Sequence, residues 1–287
     1  ATLFVFLKCL RQLNVQARWI VIFGAVLFVM NNNLFIIFRR IRPEALVLFC
    51  FFVSLYYYLK WLNNNTNKWA LVGCGAAIMT AFWAHPSAFI YGIVLGVFIL
   101  WDQIKSKQPY KIGYYILGNG LVFCVGLLGF MVLSDQSWLH GLLFKPEISA
   151  STRIGADLAS IGGRLTLFFS AYSMGIKRLY IICFELLVLG VPFWLLKYYP
   201  SAQGKTGLFL TRLAGIGVVS LCVSFIVFSP FPTFHFSYVV CIGLLVFLGV
   251  LQAIKSRHMR WVVLCISSVY LVNNVAGNIY VVYKNRQ

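Results

Sequence analysis

The run from Ile112 to Leu133 holds 22 residues without a charged side chain, enough to cross the hydrocarbon of a bilayer, which takes about 20 helical residues. Comparable apolar blocks recur at 19–38, 43–60, 69–84, 86–101, 178–197, 206–228, 236–254 and 261–282. They do not alternate apolar and polar residues as barrel strands do, and in lipid such a segment satisfies its backbone only as a helix. The expected fold is an all-α, polytopic transmembrane bundle with about nine complete spans. Ala1–Leu7 reads as the end of one more helix. With Ala rather than Met in first place, this stub implies that the chain starts inside a longer protein. The spans take up most of the 287 residues, so 1–287 reads as a single transmembrane domain.

Charge orients the spans. The chain carries 24 Lys and Arg against 6 Asp and Glu, a formal net charge of +18, but the cations stand in ones to threes between apolar blocks. That distribution lacks the continuous stripe of a nucleic-acid binder and suits topology signals and contacts with membrane lipids. The stretch 69–101 is too long for one crossing, and lysines flank it on both sides (Lys60 and Lys68, then Lys105, Lys107 and Lys111). Because cytoplasmic loops are enriched in Lys and Arg, both flanks belong inside, and the chain must turn at His85 and Pro86 on the outer side. The same parity puts 8–18, 61–68, 102–111, 198–205 and 255–260 inside. It leaves 134–177 outside, where an apolar run too short to cross, Leu165–Ile176, reads as amphipathic helix lying on the membrane.

One short outer loop breaks this pattern: Arg39, Arg40 and Arg42 precede Pro43 and Glu44. Guanidinium groups bind phosphate bidentately, and a carboxylate beside them could activate an acceptor or hold a metal. The plainer reading is an anchor to lipid phosphates followed by a helix start, with Pro43 in the first helical position and Glu44 favoured by the dipole. His85, His235 and Tyr238 stand at other outer helix ends and are candidate contacts to a donor phosphate or substrate; capping and interfacial roles compete. Asn31, Asn32 and Asn33 interrupt 19–38 and suggest a wet outer half. Gly73 and Gly75 suggest a close helix crossing. The eight cysteines have neither CxxC spacing nor a neighbouring histidine and read as inert core thiols. Gly204-Lys205-Thr206 lacks the glycine and the preceding strand of a phosphate-binding loop.

The segments RRIRPEALVLFCFFVSLYYYLKW (39–61) and WALVGCGAAIMTAFWAHPSAFIYGIVLGVFILW (69–101) resemble the middle of the GT-C membrane glycosyltransferases, the superfamily of protein O-mannosyltransferases and lipid A aminoarabinose transferases. Arg-Pro-Glu at an outer helix start, His-Pro at the next outer turn and a long outer segment before the last four helices carry the likeness. It implies inverting transfer of a sugar from a polyprenyl-phosphate donor to a lipid, glycan or protein acceptor on the outer face of a bacterial inner membrane. Glu44 matches the family's second acidic position, and Arg39, Arg40, Arg42, His85, His235 and Tyr238 fall to substrate and phosphate binding. The family's first acid would lie upstream of Ala1, so 1–287 alone is expected to be inactive. The resemblance fixes no cofactor, and a divalent cation is compatible with it. The alternatives are a secondary transporter, which should show internal repeats and broken helices, and a non-catalytic assembly subunit.

Overall fold

A computed structural model describes residues 1–31, 34–35, 38, 43–85, 88–133, 204–227, 233–254 and 256–284. Among them none is in a strand, residues 34–35 and 38 are helical, and nine further α-helices have described bounds. In chain order they are α1 (Thr2–Gln12), α2 (Arg18–Met30), α3 (Pro43–Asn63), α4 (Lys68–Ala84), α5 (Ala88–Lys105), α6 (Ile112–Leu133), α7 (Lys205–Val227), α8 (Thr233–Ala253) and α9 (Arg257–Lys284). A single 3-10 turn, Pro109–Lys111, leads into α6. Among the described residues, α3, α5, α6 and α7 are long and apolar enough to cross a membrane, while α2, α4, α8 and α9 contribute shorter apolar stretches. The expected span 178–197 and the outer segment 134–177 lie outside the described residues.

Packing pairs reveal the direction of each helix. Between α4 and α5, Phe82 meets Phe89 with ring centroids 6.1 Å apart, and Ile78 faces Gly92. The index falls on one helix as it rises on the other, so the two form a hairpin folded at His85, as the flanking lysines required. The same test makes α3 antiparallel to α4, through Ser54 with Cys74 and Tyr57 with Gly73. It makes α5 antiparallel to α7, through Phe98 with Gly215 and Asp102 with Arg212, and α2 antiparallel to α8, through Gly24 with Leu248 and Ala17 with Gln252. Phe51 with Tyr91 and Tyr58 with Asp102 run α3 and α5 in parallel. Helices α1, α3, α5 and α8 therefore descend toward one end of the bundle, from which α2, α4, α6 and α7 rise.

That end is basic. It carries Arg11, Arg18, Lys60, Lys68, Lys105, Lys107, Lys111, Lys205 and Arg260, together with exposed Trp19, Trp69, Trp101, Tyr110 and Trp261. Lys68 lies over the Trp69 ring and Lys105 over the Trp101 ring, 5.9 and 5.3 Å from the centroids. Exposed indoles beside cations at helix ends match the aromatic belt expected where a membrane helix meets the headgroups. Two loops of this end are tied together by Lys111 Nζ, which donates to the Asn65 carbonyl at 3.0 Å.

Small residues set the tightest crossing. A Cβ on Gly75 would collide with the Tyr115 carbonyl, and one on Gly118 with the Val72 carbonyl, so α4 and α6 touch backbone to backbone, as small residues permit in membrane helices. Gly73 packs on the Tyr57 ring, 3.1 Å from where its Cβ would stand. Both glycines thus serve the close packing expected of them.

Three boundaries differ from expectation. Helix α1 continues beyond the stub to Gln12, so part of the supposed inner loop 8–18 is helical. Helix α5 continues to Lys105 and draws Asp102 and Gln103 out of the supposed loop 102–111 into the bundle. Helix α2 stops at Met30, well short of 38: Asn31 turns to an extended conformation (φ −60°, ψ 123°), and its Oδ1 accepts from Leu34 N at 3.1 Å. The Met30 carbonyl accepts from Asn278 Nδ2 of α9 at 2.9 Å. Buried amides thus take over the backbone groups that the break exposes. Of the cysteines, Cys9, Cys50, Cys74 and Cys241 are buried, but Cys124, Cys222 and Cys265 face outward, which corrects the expectation that all are core thiols.

Candidate functional site

The far end of the bundle, opposite the aromatic belt, holds the described site candidates. Pro43 opens α3, so Glu44 falls in its first turn, where unsatisfied N–H groups and the dipole favour an anion. Only 6% of Glu44 is exposed. Its main-chain carbonyl accepts a long hydrogen bond, 3.5 Å, from the Tyr238 hydroxyl of α8. Tyr238 is wholly buried and packs against Tyr91 of α5 (centroids 4.6 Å apart) and Phe51 of α3 (5.9 Å); Phe51 and Tyr91 also touch, at 5.2 Å. Three helices are locked beneath Glu44 by this ring cluster.

The structure thus brings Glu44 and Tyr238 together, 194 residues apart in sequence. Tyr238 is a core residue rather than an interfacial one, and its hydroxyl faces the α3 main chain instead of open space. His85 closes α4 in an extended conformation (φ −161°); its N–H donates to the Ala81 carbonyl at 2.9 Å, and its carbonyl accepts from Ala88 N at 3.0 Å. Its ring is half-buried at the α4–α5 turn. His235 belongs to the first turn of α8, and its side chain lies outside the described part. Arg39, Arg40 and Arg42 lie outside the described residues altogether.

Among the described residues, no three His, Cys, Asp or Glu side chains gather closely enough to hold a metal ion. Glu44 is therefore not part of such a group among the described residues.

A second polar cluster, at the basic end, was not singled out from the sequence. Asp102 of α5 forms an ion pair with Arg212 of α7 and accepts from the Tyr58 hydroxyl of α3 at 2.8 Å. The two charged side chains are 10% and 12% exposed. Tyr58 stacks on Trp61, centroids 6.2 Å apart. The neighbouring Gln103 is wholly buried, and neither of its amide atoms has a hydrogen-bond partner among the described residues. One weak signal was present: Asp102 is the lone acid among the lysines of its segment, and Arg212 is the lone charge inside an apolar block. Comparison with family models, with curated proteins and with solved structures returns no match to this chain.

Proposed function

We propose that the protein transfers a sugar from a polyprenyl-phosphate donor to an acceptor at the far end of the bundle, with the basic end toward the cytoplasm and the described helices forming part of a nine-span GT-C-like domain. The observation that carries this reading is the placement of Glu44: a buried carboxylate in the first turn of a membrane helix, directly after Arg39, Arg40 and Arg42 in sequence. Intramembrane acids cost free energy and mark functional sites by default. In the proposed step the acceptor oxygen or nitrogen attacks the anomeric carbon and Glu44 takes the acceptor proton. The bond from that carbon to the phosphate oxygen breaks with its electron pair, and the arginines stabilise the departing phosphate. The configuration at the anomeric carbon inverts.

The test uses the full-length protein in nanodiscs with a radiolabelled polyprenyl-phosphate sugar. Glu44→Gln and Arg42→Ala are each expected to lower transfer by about 10²-fold or more at unchanged membrane levels. His85→Ala should weaken donor affinity with little change in turnover. Near-wild-type transfer by both Glu44→Gln and Arg42→Ala would return the loop to a lipid anchor and helix start.

A transporter is the second reading, favoured by the break in α2, since broken helices are a hallmark of transporter binding sites. Substrate flux into proteoliposomes, abolished by Asn278→Ala and insensitive to Glu44→Gln, would favour it.

A further inference from the structure

We propose that the cleft between the end of α1 and the start of α2, at the basic end, binds the phosphate of an anionic membrane phospholipid. The cleft measures about 480 Å³ and is lined by Arg11, Val15, Gln16, Arg18, Val21 and Ile22, a volume within the usual range for small-molecule sites. Its two guanidinium groups come from different helices and are both exposed, and neither has an acidic partner among the described residues. The described acid at this end, Asp102, is already engaged by Arg212 and Tyr58. Nor is the charge of Arg18 compensated locally, because the first turn of α2 contains no acid. Two such forks, each able to donate a pair of N–H bonds, suit one phosphate group.

Position and shape select a lipid over a dissolved anion. Trp19 follows Arg18 directly and belongs to the aromatic belt, so the cleft opens at the level of lipid headgroups. Beyond it, Ile22, Val26 and Val29 are 65%, 38% and 49% exposed. Their spacing of four and three residues aligns them on one helix face, forming an apolar track about 10 Å long that leads from the cleft toward the bilayer centre. A headgroup phosphate in the cleft would leave an acyl chain lying along that track. This lipid is distinct from the proposed donor, whose site is at the other end, so either assignment can fail without the other.

Native mass spectrometry of the full chain, released from detergent micelles doped with phosphatidylglycerol or phosphatidylcholine, tests the site. Arg11→Gln with Arg18→Gln is the variant. Lys107→Gln with Lys205→Gln removes the same charge from the same end and is the control. A retained phosphatidylglycerol adduct is expected, with about tenfold or greater loss of its apparent affinity in the arginine pair and less than twofold in the lysine pair. The melting temperature in the same detergent should be unchanged in both. Equal losses in the two pairs would show diffuse attraction to charge and overturn the proposal. So would equal retention of phosphatidylcholine, or displacement of the adduct by inorganic phosphate alone, which would make the cleft a site for a free anion. If the arginine pair melts early, the single variants Arg11→Gln and Arg18→Gln decide, each expected to lose about threefold.

Discussion

The two ends of the bundle treat a buried carboxylate in opposite ways. At the basic end Asp102 is gripped by side chains from two other helices, Tyr58 of α3 and Arg212 of α7. At the far end Glu44 stands in the first turn of its own helix, and the neighbouring Tyr238 bonds to its main chain rather than to its carboxylate. The first arrangement spends the acid on architecture, because an ion pair and a phenol fix the relative height of three helices. The second ties the main chain under the acid to α8 through the Tyr238 hydroxyl. The two buried acids thus differ in how α8 or α7 reaches them, through the main chain of Glu44 at one end and the side chain of Asp102 at the other.

The sharpest way to break the comparison is to remove one partner of the brace. Arg212→Ala strands Asp102 nearly buried, and losing one member of a buried pair typically costs about 3–5 kcal/mol. A fall of that size is expected in denaturant unfolding of the detergent-solubilised protein. Asp102→Asn with Arg212→Met should recover most of it, since replacing the whole pair is often close to neutral. Glu44→Gln, by contrast, is expected to leave stability within about 1 kcal/mol of wild type. Comparable destabilisation by Glu44→Gln and Arg212→Ala would erase the difference between the ends.

Next in size is the α4–α6 crossing, which holds its backbone contact without any charge. Gly118→Ala forces a Cβ against the Val72 carbonyl and, as overpacking, should cost about 1–3 kcal/mol. Gly113→Ala, on the same helix with open space around it, should be neutral or slightly stabilising. Equal effects in thermal melts would mean that the crossing is not tight.

How far these features were legible in the sequence depends on how local their causes are. The hairpin at His85 followed from lysines on both flanks of 69–101, and the close crossing from Gly75. The interruption at Asn31 was visible as amides inside an apolar block. Each of these signals lies within the effect's own helix or at the ends of the helices that form it. The brace was not legible, because whether Asp102 ends a helix or begins a loop is decided by Tyr58, 44 residues away, and by Arg212, on a helix beyond another crossing. The same holds for Tyr238: nothing near position 238 announces that its hydroxyl meets the α3 main chain, and its aromatic neighbours come from two other helices.

A milder cut into the brace is Tyr58→Phe. It deletes one of two hydrogen-bonded partners of Asp102 and keeps the stacking on Trp61. Hydrogen bonds to charged groups are worth about 1.5–3 kcal/mol, and Arg212 still compensates the acid, so a loss near the lower end of that range is expected. A melting temperature equal to wild type would show that Arg212 alone secures Asp102.

The smallest expected effect is that of Tyr238→Phe, and it bears most directly on the far end. The bond lost is long, 3.5 Å, with a neutral donor and acceptor, so its net worth is at the bottom of the usual range, about 0.5 kcal/mol. The ring itself, packed on Tyr91 and Phe51, is kept. Stability should barely move. If the hydroxyl serves to hold the first turn of α3 in place under Glu44, transfer should nonetheless fall by several-fold, since misplacing a reacting group by about 1 Å costs far more in rate than in folding. Tyr238→Leu removes the ring cluster as well and should lower both stability and transfer. A Tyr238→Phe variant with wild-type transfer would make Tyr238 a packing residue only, and the support beneath Glu44 would then rest on the aromatic rings rather than on the hydrogen bond.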